Sequence, residues 1–213
     1  YLYSLERAGI KYDLNNIKTL SKACGNPHKE FKSIHIAGTN GKGAVASIIS
    51  SVLTESRYKT GLYTSPHIKD FRERIRVNGK VIPKDYVIQF TEKYYGLLEK
   101  IKPSFFEATT AMAFKYFADS EVDLAVIECG LGGRLDSTNI IKPKISVITS
   151  ISIDHSEYLG NTIKSITNEK AGIVKRNVPC VIGSVSNYSK SIIKNICEQK
   201  KSAIIDSSDF DFD

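Results

Sequence analysis

Ser33-Ile34-His35-Ile36-Ala37-Gly38-Thr39-Asn40-Gly41-Lys42-Gly43 runs from an apolar stretch into a glycine-rich turn that ends on a lysine. The first five residues read as a short buried strand. Beyond the turn, Val45, Ile48, Ile49, Val52 and Leu53 recur at i, i+3, i+4, i+7 and i+8, the spacing of one helix face. This order brings backbone N–H groups, a helix N-terminus and an ammonium into one small volume, which suits a polyphosphate. The glycines let the backbone curl around phosphates with no Cβ in the way. Gly38, Thr39, Asn40, Gly41, Lys42, Gly43 and Ala44 are therefore the candidate ATP-binding segment. Only two residues separate Gly38 from Gly41, so this is not the longer G-x-x-x-x-G-K-[ST] loop. A plain glycine turn with a solvated Lys42 is the rival reading of the segment alone.

Outward from the turn, apolar runs alternate with helix patterns. Lys59–Thr64, Asp123–Glu128, Ile145–Thr149, Cys180–Gly183 and Ala203–Ile205 read as strands. Tyr1–Ala23, with Leu14, Ile17 and Leu20 on one face, reads as helical, as do 84–101, 105–118, 163–171 and 189–198. Residues 67–83 form a charged, extended segment in which Asn78-Gly79, between Arg74–Val77 and Val81-Ile82, is a hairpin signal. The pattern predicts an α/β fold, a mostly parallel sheet flanked by helices. In such sheets ligands bind at the carboxyl ends of the strands.

Composition sets bounds on function. The 41% hydrophobic and 25% charged content is that of an ordinary globular chain. No run of about 18 apolar residues is present, so no membrane span is expected. Cys24, Cys129, Cys180 and Cys197 lack C-x-x-C spacing and lie in apolar or helical patterns, which predicts free thiols and a cytoplasmic location. The net charge of +7 fits an anionic small substrate or nucleic acid. Its lysines are scattered with no basic–aromatic interleaving, so nucleic acid is not expected. The start at Tyr1 and the acidic end at Asp213 read as cut ends of a longer protein.

Chemistry-bearing residues follow the strands. The first strand delivers Lys42, the second Thr64-Ser65, the third Glu128 and a Gly130/Gly132/Gly133 loop, the fourth Asp154-His155. A hydroxyl, a carboxylate and an imidazole beside a polyphosphate make Ser65, Glu128 and His155 candidate Mg2+ ligands, with phosphate and water completing the shell. Histidine is the less usual ligand for that ion. Each residue has a plain alternative: Glu128 pairing at a strand end, His155 in a polar turn, Ser65 opening a Ser-Pro turn. Arg134 and Asp136 could orient a substrate or pair with each other. By composition alone Lys170 reads as a solvent lysine.

Gly38-Thr-Asn-Gly-Lys-Gly43, Tyr63-Thr-Ser-Pro66, Glu73-Arg74, Glu128-Cys-Gly-Leu-Gly-Gly-Arg-Leu-Asp-Ser-Thr-Asn139, Asp154-His155 and Glu169-Lys-Ala-Gly-Ile173 together resemble the folylpolyglutamate synthase/dihydrofolate synthase family, within the wider Mur ligases. The resemblance runs from about the first helix to the last strand. It implies a mononucleotide-binding domain of the P-loop type, like the Mur ligase central domain. It further implies an ATP-dependent ligase that activates a carboxylate as an acyl phosphate for attack by L-glutamate. Catalytic Lys42, His155 and Lys170, with Lys170 carbamylated, are carried over on this basis, as are Phe106 and Asp136 on the pterin-binding side, with Arg134 kept as a substrate-binding candidate from its place at the end of the glycine loop. The implied partners are small molecules (ATP, a pterin or folate, L-glutamate), acted on by a monomer. A Mur-type ligase of cell-wall precursors and a non-catalytic ATP-binding module are the alternatives.

The chain departs from the family pattern at Ala44, where a Ser or Thr normally follows Lys-Gly. Residues 1–213 are expected to be the ATP-binding domain, with a hairpin insertion near 67–83 and the C-terminal glutamate-ligase domain lying outside the chain. Such a fragment is expected to bind ATP but turn over poorly by itself.

Overall fold

The alternation of apolar runs and helix patterns resolves, in a computed structural model, into one eight-stranded sheet with helices on both faces. The structure describes residues 1–9 and 12–210, the side chains of 6–8 excepted. In chain order the elements are α1 (Asn15–Ala23), β1 (Lys32–Ala37), α2 (Lys42–Glu55), β2 (Thr60–Tyr63), β3 (Ile75–Val77) and β4 (Lys80–Val81). There follow α3 (Lys84–Ile101), α4 (Phe105–Asp119), β5 (Leu124–Glu128), β6 (Ile145–Ser150), α5 (Ser156–Leu159) and α6 (Ile163–Ala171). The last are β7 (Cys180–Ser184), α7 (Asn187–Lys200) and β8 (Ile204–Asp206).

The strand order is β4-β3-β2-β5-β1-β6-β7-β8. From β2 to β8 all neighbours are parallel, and β3 and β4 add an antiparallel edge. The register is what builds the site. Ile36 lies opposite Glu128, Ala37 opposite Ile148, and Tyr63 opposite Ile127. Strands β1, β2 and β5 therefore finish within two residues of one another, β6 runs two residues further, and the residues after all four emerge at the same end of the sheet.

Alternation along the strands divides the core. Tyr63, Ala125 and Ile127 face α1, α3 and α4, packing with Ile17, Leu20, Leu98, Phe114 and Phe117. Ile148, Cys180 and Ile182 meet α6 and α7 in a second cluster with Ile173, Ile193 and Cys197. Ile36, Leu62, Val126 and Val147 point the other way, against α2. There the buried stripe is narrower than the spacing predicts. Ala46 and Ser50 are buried and Val45, Ile49 and Leu53 half-buried, but Ile48 and Val52 are 64% and 59% exposed. Small side chains at 46 and 50 let the helix sit close on that side, and this turns Ile48 and Val52 outward.

One other expectation is corrected. The first 23 residues are not one helix: a 3-10 stretch, Leu2–Ala8, gives way to Gly9 at φ 68°, and α1 starts only at Asn15, where Asp13 accepts the Asn15 N–H. Residues 10 and 11 of that predicted helix lie outside the described residues. The short helix α5 carried no sequence signal. The hairpin stands, with Asn78 and Gly79 both at positive φ (49° and 75°), and it extends the main sheet at its edge. All four cysteines are free and buried. Among the described residues, no helix is long and apolar enough to cross a membrane.

Candidate active site

The turn after β1 is built to leave N–H groups unpaired. Gly41, at φ 82°, caps α2 without a side-chain bond, and the first turn of the helix carries no acidic residue. The helix therefore presents free donors and the positive end of its dipole at Lys42–Ala44, the Val45 N–H being the first to pair, with Gly41 O at 2.9 Å. The loop is stapled to the end of β6. Thr39 N–H donates to Ser150 O (2.9 Å) and Asn40 N–H to Ser150 Oγ (2.9 Å), while Thr149 Oγ1 and Ser150 Oγ donate to Asn40 O (2.7 and 3.1 Å). A Cβ on Gly38 would lie 2.0 Å from Thr149 Oγ1, so only glycine permits this approach.

Two lysines attend the loop. Lys42 Nζ folds back onto Thr39 O at 3.1 Å. From beneath, Lys170 Nζ donates to Gly38 O at 2.9 Å, and the residue is 2% exposed. Lys170 is thus no solvent lysine. Burial, assisted by the nearby Lys42 cation, brings its pKa down to about 8.

Along the rim, Glu128 ends β5 and its Oε2 accepts the Ser65 N–H at 3.0 Å. The same oxygen lies 3.5 Å from where a Gly43 Cβ would sit, so the carboxylate stands beside the first turn of α2. Burial pushes its pKa up, against the pull of that N–H and of Lys42. His155, at φ 46°, leads into α5, its Nε2 3.5 Å from Asp154 Oδ2. No group of three or more His, Cys, Asp or Glu side chains able to hold a metal exists among the described residues. The donors Ser65, Glu128 and His155 suit a cation that takes much of its shell from phosphate and water, as Mg2+ does.

Thr39, Lys42, Ser65, Asp154 and His155 line a cleft of about 540 Å³ together with Tyr12, Phe105, Phe106, Leu131, Leu135 and Asp136. Its aromatic wall is packed: Phe106 sits 5.8 Å from the Tyr63 ring, and a Cβ on Gly130 would come within 2.6 Å of Phe106. Arg74 enters the cleft with its guanidinium 5.2 Å from the Phe105 ring centre and its Nε on His67 Nδ1 at 2.9 Å. Asp136 is buried and held by the Leu131 N–H (2.8 Å), the Thr138 N–H (2.9 Å) and the Thr138 hydroxyl (2.5 Å). Burial pushes its pKa up, and these bonds act in the opposite sense.

Arg134 and Asp136 do not pair. Arg134 donates through Nε and Nη2 to Glu169 Oε1 (3.0 and 2.8 Å), outside the cleft lining, while Tyr12 OH donates to Glu169 Oε2 at 2.7 Å. The glycine loop is pressed onto α6. A Cβ on Gly133 would meet the carbonyls of Glu169 and Lys170 at 2.8 Å, and one on Gly172 would meet Arg134 Cβ at 2.4 Å. Sequence reasoning gave Arg74 no role beyond its place in a motif, and it missed Tyr12. The first could have been found from a charged residue beside Tyr63-Thr-Ser-Pro66; the second carries no local signal.

Residues 36–211 match the Mur ligase middle domain. Over 211 residues the chain is 40% identical to the dihydrofolate synthase/folylpolyglutamate synthase of Bacillus subtilis, covering 93% of this chain and 48% of that protein. The chain belongs to the folylpolyglutamate synthase/dihydrofolate synthase family. A solved member, the folylpolyglutamate synthase of Thermotoga maritima, superposes with a TM-score of 0.88 at 41% identity, over 97% of this chain and 48% of that one. An FPGS solved with AMPPCP and folate gives 0.91 at 38% identity over 97% of this chain and 52% of that one. The E. coli member, solved with DHPP and ADP, gives 0.89 at 32% identity over 96% and 50%. The chain thus spans about half the length of the relatives it matches. The α/β fold with a mostly parallel sheet and the family read from the motifs both hold.

Proposed function

We propose that this chain is the ATP-handling part of a ligase that joins L-glutamate to dihydropteroate, to folylpolyglutamate or to both. The emergence of the segments after β1, β2, β5 and β6 at one end of the sheet carries the reading, because it brings the phosphate loop, Ser65, Glu128 and His155 to an aromatic cleft with room for a flat ring system. A carboxylate is a poor acylating group. Transfer of the ATP γ-phosphoryl group to it gives an acyl phosphate, which the glutamate amine attacks with release of phosphate. Such transfer depends on positioning and on neutralising charge. Lys42 and the free N–H groups of α2 hold the phosphates, and Phe106 and Asp136 hold the acceptor ring. Arg134 keeps Tyr12 and Glu169 in place beside it. Mg2+, held by Ser65, Glu128 and His155, would offset the phosphate charge. Lys170 has the environment for carbamylation: a lowered pKa supplies the neutral amine that adds to carbon dioxide, releasing a proton and leaving an anion. The protein is read as a cytoplasmic monomer acting on small molecules.

Full-length protein should release ADP only when glutamate and a pterin acid are both present. Release driven by a muramyl-peptide nucleotide instead would assign the cell-wall branch. Ala44 is the observation that favours a non-catalytic module. ATP titrations that ignore Mg2+, with no ADP release by full-length protein, would establish that reading.

A further inference from the structure

We propose that His35, on β1 beneath the cleft, is a positioning residue that fixes the Asp136 carboxylate through the hydroxyl of Thr138. The proposal deepens the acceptor-binding role given to Asp136 and rests on it. His35 is wholly buried, with Nε2 2.8 Å from Thr138 Oγ1 and 3.1 Å from Cys129 Sγ. Thr138 Oγ1 lies 2.5 Å from Asp136 Oδ1. A hydroxyl has one proton and a carboxylate only accepts, so the Thr138 proton goes to Asp136, a nearer and stronger acceptor than Cys129 Sγ at 3.6 Å. The hydroxyl's lone pair is then left to receive a proton from His35 Nε2.

This assigns the Nε2–H tautomer and leaves Nδ1 bare, consistent with its lack of a hydrogen-bond partner. Burial keeps the imidazole neutral, assisted by the cation of Lys175, whose Nζ donates to Asn139 O at 2.9 Å. An imidazole in this place costs desolvation that an aliphatic side chain would not. What it supplies is a donor to Thr138. His35 stands three residues before Gly38, so one strand carries both the phosphate loop and the support of the acceptor carboxylate.

The test is made on the whole chain. In 15N-histidine NMR, His35 should show a protonated Nε2 and an unprotonated Nδ1; the opposite tautomer would overturn the assignment. His35→Leu should weaken pteroic acid binding about tenfold, the scale of one lost hydrogen bond, while ATP binding stays within about twofold. His35→Gln, whose amide N–H stands near Nε2, should recover most of the loss. Because a buried substitution can simply unfold the chain, Thr138→Val against Thr138→Ser probes the same link from its other end and should split likewise. Equal loss of ATP and pteroic acid in folded variants, or no rescue by Gln and Ser, would reduce His35 to packing. Failure of the unmodified chain to bind pteroic acid would instead count against the functional reading, with the nitrogen shifts still deciding the tautomer.

Discussion

Lys170 Nζ donates to the Gly38 carbonyl at 2.9 Å, so a buried ammonium on α6 supports the first residue of the turn between β1 and α2. Its pKa near 8 in the folded chain, against 10.5 when free, has a consequence for stability. Between those values the unfolded chain holds a proton that the folded chain has released, so stability rises with pH through this window. Below pH 8 the penalty is constant. Urea melts from pH 7.5 to 10.5 should show an increase of up to about 3 kcal/mol. Lys170→Met should remove most of it; an unchanged slope would place the titration elsewhere, Lys175 being the other lysine lowered by burial.

Lys42 makes its hydrogen bond within its own loop, to Thr39 O, and no part of the core depends on it. Lys42→Ala should therefore leave thermal stability within about 0.5 kcal/mol, as for other surface changes. It should weaken ATP by about 10- to 100-fold, the scale of a lost charge-assisted bond to phosphate. Calorimetric titration beside a melting curve reads both.

Gly172→Ala tests the weld between the glycine loop and α6. The added Cβ would meet Arg134 Cβ at 2.4 Å and Arg134 Cα at 2.5 Å, and no rotamer relieves a clash that includes backbone. A loss of about 2–3 kcal/mol in denaturant unfolding is expected. A neutral result would mean that the loop gives way freely.

Ala44 is exposed on the first turn of α2, where a hydroxyl has room to reach phosphate or metal. Ala44→Ser in the full-length protein should raise turnover several-fold, on the order of one hydrogen bond made in the transition state. Unchanged turnover would show the hydroxyl to be dispensable here.

Much of this was readable in advance, and the reason is local. The glycine turn between β1 and α2, the hairpin at Asn78-Gly79 and the strands at 124–128 and 145–150 are each specified by contiguous residues, so periodicity and turn chemistry find them. The rim follows from them, because parallel strands fix where loops emerge. What escaped depends on tertiary packing. Lys170 sits on a helix with a polar sequence, and only the docking of α6 under Gly38 buries it. Arg134 turned to Glu169, not Asp136, because Gly133 and Gly172 bring the loop against α6, a contact between residues 35 apart. Tyr12 reaches the cleft from the N-terminal segment, whose break at Gly9 no hydrophobic spacing announces.

The hairpin has an effect at the border of the sheet. Its outer strand, Lys80–Val81, is two residues long and begins with a lysine. So short a strand offers few open N–H and C=O groups to a passing chain, and its charge repels alignment with a copy of itself. On this flank the molecule is guarded against edge-to-edge aggregation, a safeguard set by the same Asn78-Gly79 turn that folds the hairpin.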